Sequence, residues 1–191
     1  MDKYCTIVSP TTTHTFSVPG LSCTTSFISK GEETDLQKNL QTCTFEHPFP
    51  RGRSVLHFGY TYNYTRRSLS AALPFPSFLD AIVEKLPFVP DQCIVNRYES
   101  GHGIHEHIDH PTLFGERVCI VSLGSAVIMT FRCNGAVENI NVPPRSLLTM
   151  ENDARYEWTH EIAARTFDII SGKRRARAPR TSLTFRTVSN T

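Results

Sequence analysis

His107-Ile108-Asp109 sets an imidazole and a carboxylate two residues apart, and His160, Arg180 and Arg186 follow further along the chain. Two histidines and one carboxylate can occupy one face of an octahedral metal ion and leave the opposite face open, the ligand set of the non-haem Fe(II) oxygenases. Side chains at i and i+2 of a strand project to the same side. His107 and Asp109 are therefore expected to reach one metal from a strand, with Ile108 turned into the core. The third ligand must come from a distant strand, and His160, in Tyr156-Glu157-Trp158-Thr159-His160, meets that need. Arg180 and Arg186 are an even number of residues apart, so on one strand they share a face, with Cα atoms about 20 Å apart at ~3.3 Å per residue. They cannot grip one carboxylate side by side. They can reach inward from opposite ends, which suits a dicarboxylate held by planar guanidinium forks.

An HxD triplet alone is common in proteins. His102, His105 and His110 lie close by and read as surface histidines of a polar loop. Spacing by itself also allows a site built from His105 with His107.

The elements that must position these groups can be traced along the chain. Residues 1–19, rich in Thr, Ser and Pro, read as a flexible N-terminal lead-in or edge segment. Ser29 with Glu32 three residues on forms a capping box, and Leu36 and Leu40 lie on one face, so a helix is expected from Ser29. A second helix is expected from about Pro76 to Leu86, where Leu79, Ile82, Val83 and Leu86 follow helical spacing and Pro87 closes it. After Pro90 the texture changes to short strands. These are expected at Cys93–Tyr98, Val118–Leu123, Ala126–Phe131, Val137–Val142, Ser146–Met150, Tyr156–His160 and Thr181–Val188. Ser100-Gly101-His102-Gly103 reads as a turn, and Asn134-Gly135 as a two-residue hairpin. Helices followed by many short strands make the fold mainly β with flanking helices, a barrel or jelly roll.

Composition bounds the rest. A chain of 191 residues fits one domain and not two comfortable ones. No apolar run approaches the roughly 18 residues of a membrane span, and the N-terminus lacks the layout of a secretory signal. A monomeric intracellular protein of cytoplasm or nucleus, without a membrane partner, is expected. The cysteines include no CxxC pair, which removes support for a structural zinc site and suggests reduced, mostly buried thiols. Net charge is only +2, but Lys173, Arg174, Arg175, Arg177 and Arg180 cluster with no acid between them. Arg51, Arg53, Arg66 and Arg67 surround an aromatic-rich stretch. Cations for phosphates beside rings for bases suit a nucleic-acid partner; solvated basic loops would look the same.

Six segments now stand in one order: Asn96-Arg97-Tyr98, Gly101 through Asp109, Val121 to Ser125, Ser146 to Leu148, Arg155 to His160 and Arg180 to Arg186. In these motifs the chain resembles the AlkB family of Fe(II)/2-oxoglutarate-dependent dioxygenases, most clearly over 92–188 and more faintly back to about residue 20. The wording of Arg155–His160 and Ser182 is similar to the oxygenase domain of the branch that acts on tRNA wobble uridine. The resemblance implies a double-stranded β-helix (jelly-roll) core in a single domain over 20–191, with a nucleotide-recognition region at about 50–75. It implies His107, Asp109 and His160 as Fe(II) ligands, and Arg180 with Asn96 and Tyr98 around 2-oxoglutarate. Arg186 would stand near the metal end as a catalytic and co-substrate residue.

The implied reaction consumes O2, splits 2-oxoglutarate to succinate and CO2, and oxidises an N-alkyl group of a base in RNA or DNA, which leaves as formaldehyde. Phe58-Gly59-Tyr60-Thr61-Tyr62-Asn63-Tyr64 matches the nucleotide-recognition region. A base lifted from its stack needs flat partners, so Tyr60 and Tyr62, with Arg66 and Arg67 for phosphates, are the expected substrate residues. Hydroxylation of a modified tRNA wobble uridine and oxidation of a protein side chain are the alternative activities. A catalytically silent binding module is a different class, against which the intact ligand and arginine set argues.

Overall fold

The computed structural model describes residues 11–48, 52–63, 65–66 and 68–189. In chain order they form β1 (Thr12–Thr15), β2 (Leu21–Thr25), α1 (Lys30–Gln41), β3 (Ser54–Phe58), β4 (Tyr60–Asn63) and β5 (Ser68–Ala71). A 3-10 turn (Ser77–Leu79) then runs into α2 (Asp80–Val83), followed by β6 (Gln92–Tyr98), β7 (Ile104–His107), β8 (Phe114–Gly124), β9 (Val127–Cys133) and β10 (Ala136–Val142). The chain ends with β11 (Leu147–Met150), α3 (Asn152–Tyr156), β12 (Thr159–Ile162), β13 (Phe167–Ile170), β14 (Lys173–Ala176) and β15 (Arg180–Val188).

Two sheets face each other. The larger has the order β1-β2-β11-β8-β15-β6-β3, the smaller β10-β9-β12-β7, and the hairpins β13-β14 and β4-β5 stand apart. The non-consecutive neighbours are the crossovers of a jelly roll. Period-two alternation divides the larger sheet's side chains between two cores. On β6, Cys93 and Val95 pack with Leu183 and Phe185 of β15 against Leu36, Leu40, Leu79 and Ile82 of the helical layer. The opposite face of the sheet looks inward, where Tyr98 and Ile120 meet Met129, Phe131 and Ile162 of the smaller sheet.

The first helix starts where the capping box places it. Ser29 Oγ accepts from the Glu32 amide at 3.1 Å, and Glu32 Oε2 accepts from the Ser29 amide at 2.7 Å. Glu33 then fastens α1 to the larger sheet by accepting from the Gly124 amide (2.8 Å) and from Arg145 (3.0 Å). Asn134 and Gly135 both take positive φ, 47° and 82°, and join β9 to β10 in the expected tight hairpin.

Two local expectations need correction. The second helix is only the turn Ser77–Leu79 plus α2, because the chain closes into turns after Val83, although Leu86 remains buried. Tyr156–His160 is not one strand: Asn152 enters at φ 49°, α3 occupies Asn152–Tyr156, and extended backbone begins at Thr159. Within the described part of the lead-in the edge-segment alternative holds, since Thr12–Thr15 pairs with Ser22–Thr25 at the border of the larger sheet. Cys23, Cys93 and Cys119 are buried free thiols, and burial pushes the last two up, Cys119 to about 11. Among the described residues no helix is long and apolar enough to cross a membrane.

Candidate active site

A cavity of about 870 Å³ opens between the two sheets. Its floor is β15, whose Arg180, Ser182, Thr184 and Arg186 all face inward because they fall on alternate positions. Asn96 and Tyr98 of β6 line it beside them, in register with Ser182 and Arg180.

At one end of the cavity His107, Asp109 and His160 bring one ligand atom each to within 4.8 Å of one another. Antiparallel pairing of β7 with β12 sets His107 opposite His160, with ring centroids 4.4 Å apart. Between the pairs His160↔His107 and Ile162↔Ile104 the register slips, so β7 carries one extra residue. Such a bulge re-aims nearby groups. Here the His105 carbonyl accepts from His107 Nδ1 at 2.7 Å. A carbonyl can only accept, so the proton sits on Nδ1 and Nε2 keeps its lone pair for a metal.

Asp109 does not lie on the strand as its spacing suggested. β7 ends at His107, and Asp109 occupies the irregular segment after it. Ile108 is accordingly half-buried and lines the cavity rather than the core. Arg155 holds this segment with donors to four carbonyls: Asp109 (2.9 Å), His110 (2.9 Å), Phe114 (3.2 Å) and Gly115 (3.1 Å). Arg186 grips the carboxylate itself, with Nη2 to Oδ1 at 2.7 Å and Nε to Oδ2 at 3.3 Å, while Nη1 reaches Gln92. Arg186 is thus engaged by Asp109 and Gln92 rather than by open space.

The electrostatics suit a divalent cation. Burial alone would push the Asp109 carboxyl up, but Arg186, then His160, His107 and Arg155, hold it below the ordinary carboxylate range. Burial, followed by His107, pushes His160 down to about 3, so its ring is neutral at pH 7. Its Nδ1 is buried without a hydrogen-bond partner. A carboxylate kept ionised and a His160 ring kept neutral are protonation states that metal ligation requires.

At the other end Arg180 is buried, donates from Nη2 to Ser122 Oγ at 2.8 Å, and stands 5.5 Å from the Tyr98 ring centroid. Its Nε is buried without a hydrogen-bond partner, and among the described residues no carboxylate pairs with it. Burial pulls its pKa down. A buried cation lacking an acid and facing a cavity fits an anionic occupant, and a dicarboxylate reaching from Arg180 to the metal cluster meets both needs.

The expected substrate residues divide. Tyr62 lines the cavity, its ring 5.7 Å from Phe114 and 6.5 Å from His110. Tyr60 is 37% exposed and touches the site only through its carbonyl, which accepts from Gln92. Arg66 is exposed on the turn after β4, and Arg67 lies outside the described residues. The basic run also splits. Lys173, Arg174 and Arg175 are exposed on β14, Arg180 belongs to the cavity, and Arg177 is buried against Asp168 at 2.7 and 2.9 Å. Arg177 is therefore not a phosphate ligand, contrary to the charge pattern. His110 is no bystander, since it lines the cavity and its Nδ1 accepts from the Leu113 amide at 3.2 Å.

Gln92, Ser122, Arg53 and Arg155 were not singled out by the motifs' chemistry. Gln92 and Ser122 had a signal, as polar residues at even offsets from Asn96 and opposite Ser182 in otherwise apolar strands. Arg53 stood in the basic group read for phosphates and Arg155 in one of the six segments. The structure buries Arg53 against Asn96 and Arg155 against backbone carbonyls, roles that no spacing encodes because each acts from irregular backbone or a short helix.

A jelly roll whose open cavity carries two imidazoles, one carboxylate and an unpaired buried arginine defines a non-haem metal oxygenase scaffold. Residues 20–186 match the family model described as the 2OG-Fe(II) oxygenase superfamily, and the chain belongs to that superfamily. It is 35% identical over 202 residues to the mouse protein "tRNA (carboxymethyluridine(34)-5-O)-methyltransferase ALKBH8", covering 89% of this chain and 30% of that protein. It is 29% identical over 209 residues to the Arabidopsis thaliana "Alkylated DNA repair protein ALKBH8 homolog", covering 91% and 60%. The chain thus spans 30% of the mouse relative's length and 60% of the plant one's. The solved structure of OsALKBH1 has the same fold, with a TM-score of 0.69 at 17% identity over 93% of this chain and 100% of that one. The chain is homologous to ALKBH8 and other AlkB relatives, and its fold is mainly β with a jelly-roll core. The enzymes of this superfamily are dioxygenases that use Fe(II), 2-oxoglutarate and O2.

Proposed function

We propose that this dioxygenase oxidises a modified base in nucleic acid, with removal of an N-alkyl group as formaldehyde as the leading reaction. The carrying observation is the wall formed by Phe114, Tyr62 and His110 along the cavity that holds the His107–Asp109–His160 cluster. Flat rings beside the reactive end, with Tyr62 and His110 partly exposed and Phe114 buried behind them, replace the stacking a base loses on leaving its helix.

His107, Asp109 and His160 would hold Fe(II), which when bound supplies O2 activation coupled to breakdown of 2-oxoglutarate. Arg180 would take the far carboxylate, with Tyr98 and Asn96 alongside. Arg186 serves the metal through Asp109: two guanidinium donors fix the carboxylate's orientation and keep it ionised. Tyr62 and His110 would orient the base, and the exposed cations of β14 offer contacts for phosphates.

A second reading, hydroxylation of a modified wobble uridine without loss of a carbon, is favoured by the 35% identity to the mouse ALKBH8. One assay separates the two. With Fe(II), O2 and 2-oxoglutarate the protein is offered methylated oligonucleotides and modified tRNA, and succinate, formaldehyde and base mass are followed. Succinate with formaldehyde supports demethylation, and a stable oxygen gain without formaldehyde supports the second reading. Succinate formation that survives His107→Ala would sink the metal assignment.

A further inference from the structure

Arg53 precedes β3, lies outside the six motif segments, and is buried on the wall of the cavity. Its Nε donates to Asn96 Oδ1 at 2.6 Å. A guanidinium carries five donors and no acceptor, so the amide oxygen of Asn96 has to face Arg53 and the amide nitrogen has to face away. Asn96 is itself buried, lines the cavity, and sits opposite Ser182, between the positions of Arg180 and Arg186 on the neighbouring strand. Among the described residues its Nδ2 meets no protein acceptor. Two N–H donors are therefore presented along the path between the unpaired Arg180 and the metal cluster. The opposite amide orientation would set Oδ1 against the oxygens of a dianion.

We propose that Arg53 is a positioning residue for the co-substrate: by holding Asn96 Oδ1 it locks the amide so that Nδ2 donates to an oxygen of 2-oxoglutarate. The proposal rests on the cavity being the 2-oxoglutarate site. Arg53 acts through Asn96, not by gripping the co-substrate, so its effect has to vanish when Asn96 is gone.

The test is a double-mutant cycle on the full chain loaded with Mn(II), with 2-oxoglutarate binding read by calorimetry and Mn(II) binding measured separately. Arg53→Met and Asn96→Ala should each weaken 2-oxoglutarate about tenfold, the scale of one lost charge-assisted or buried hydrogen bond. Mn(II) affinity should stay within about twofold, and the double variant should bind 2-oxoglutarate no worse than Asn96→Ala alone. Undiminished affinity in Arg53→Met overturns the proposal. So does a further loss in the double variant, which would mean that Arg53 attracts the dianion by charge alone. If Arg53→Met does not fold, Asn96→Asp replaces it, because a carboxylate keeps Arg53 paired while removing the N–H donors; retained affinity there also overturns the proposal. Failure of the unaltered protein to bind 2-oxoglutarate would instead overturn the reading of the cavity.

Discussion

Two buried aspartate–arginine pairs stand in different parts of this fold, and they do different work. Asp168 accepts from Arg177 twice, from Arg165 (2.8 Å) and from the Ile128 amide (3.1 Å), so its carboxylate is saturated and pins the β13-β14 hairpin to β9. Among the described residues the Asp109 side chain is gripped by Arg186 alone, and beside it stand two imidazoles, one with a buried unpartnered nitrogen. Both aspartates are held below the ordinary carboxylate range against the opposing effect of burial. The difference is in what remains to be satisfied. A saturated pair closes off its surroundings, whereas an ionised carboxylate aimed with two imidazoles into a cavity leaves a ligand-shaped deficit.

The sharpest way to break this comparison is to substitute each aspartate in turn. Asp109→Ala should reduce succinate formation by at least about 100-fold, since even outer-shell partners of metal ligands are worth ~10–100-fold. Asp168→Asn should leave turnover per folded molecule within about threefold but destabilise the chain by about 3 kcal/mol, the lower range for breaking a buried pair, read from urea melts. Equal loss of turnover in both would erase the distinction. Arg180 extends it as a buried arginine that no acid pairs among the described residues. Arg180→Met should weaken 2-oxoglutarate by ~30-fold, about 2 kcal/mol, and leave the melting temperature unchanged or raised because a desolvated charge is removed.

These regions were unequally legible in the sequence. The inward face of β15 could be read from even spacing alone, because period two is a property of extended backbone. The hairpin at Asn134-Gly135 and the cap at Ser29 carry their own local chemistry. Asp109 does join His107 and His160 in space, but not through strand spacing. It reaches His107 through an irregular turn held by four carbonyl contacts from Arg155, and no periodicity in the sequence encodes that. The same limit applies to Arg177, whose neighbours in sequence are exposed cations but whose partner Asp168 lies across a hairpin turn. Charge runs record composition, not which side of a strand each residue occupies.

A pH series sharpens the structural half of the comparison. The Asp168 carboxyl has its pKa lowered on folding, as Arg177, Ile128 and Arg165 outweigh burial. The stability it contributes is therefore complete above the unfolded value of about 4 and is lost as pH falls through the lower folded value. Urea midpoints measured from pH 5 down to pH 2.5 should fall more steeply for the unaltered chain than for Asp168→Asn. Parallel curves would mean that Asp168 titrates alike in both states.

The smallest expected effect lies on the exposed strand that the Asp168–Arg177 pair supports. Lys173, Arg174 and Arg175 point into solvent, with Arg174 3.9 Å from the Phe167 ring centroid, while Arg177 below them is already engaged. If the strand tracks a nucleic-acid backbone, replacing Lys173 and Arg175 with Gln should lower the slope of log affinity against log salt by about 0.7 per lost single-strand phosphate contact. Arg177→Gln should instead lower stability, and its salt slope should change only as far as the hairpin loosens. An unchanged slope in the Lys173/Arg175 variant would confine recognition to the cavity and its aromatic wall. The buried pair would then support a strand that no ligand uses.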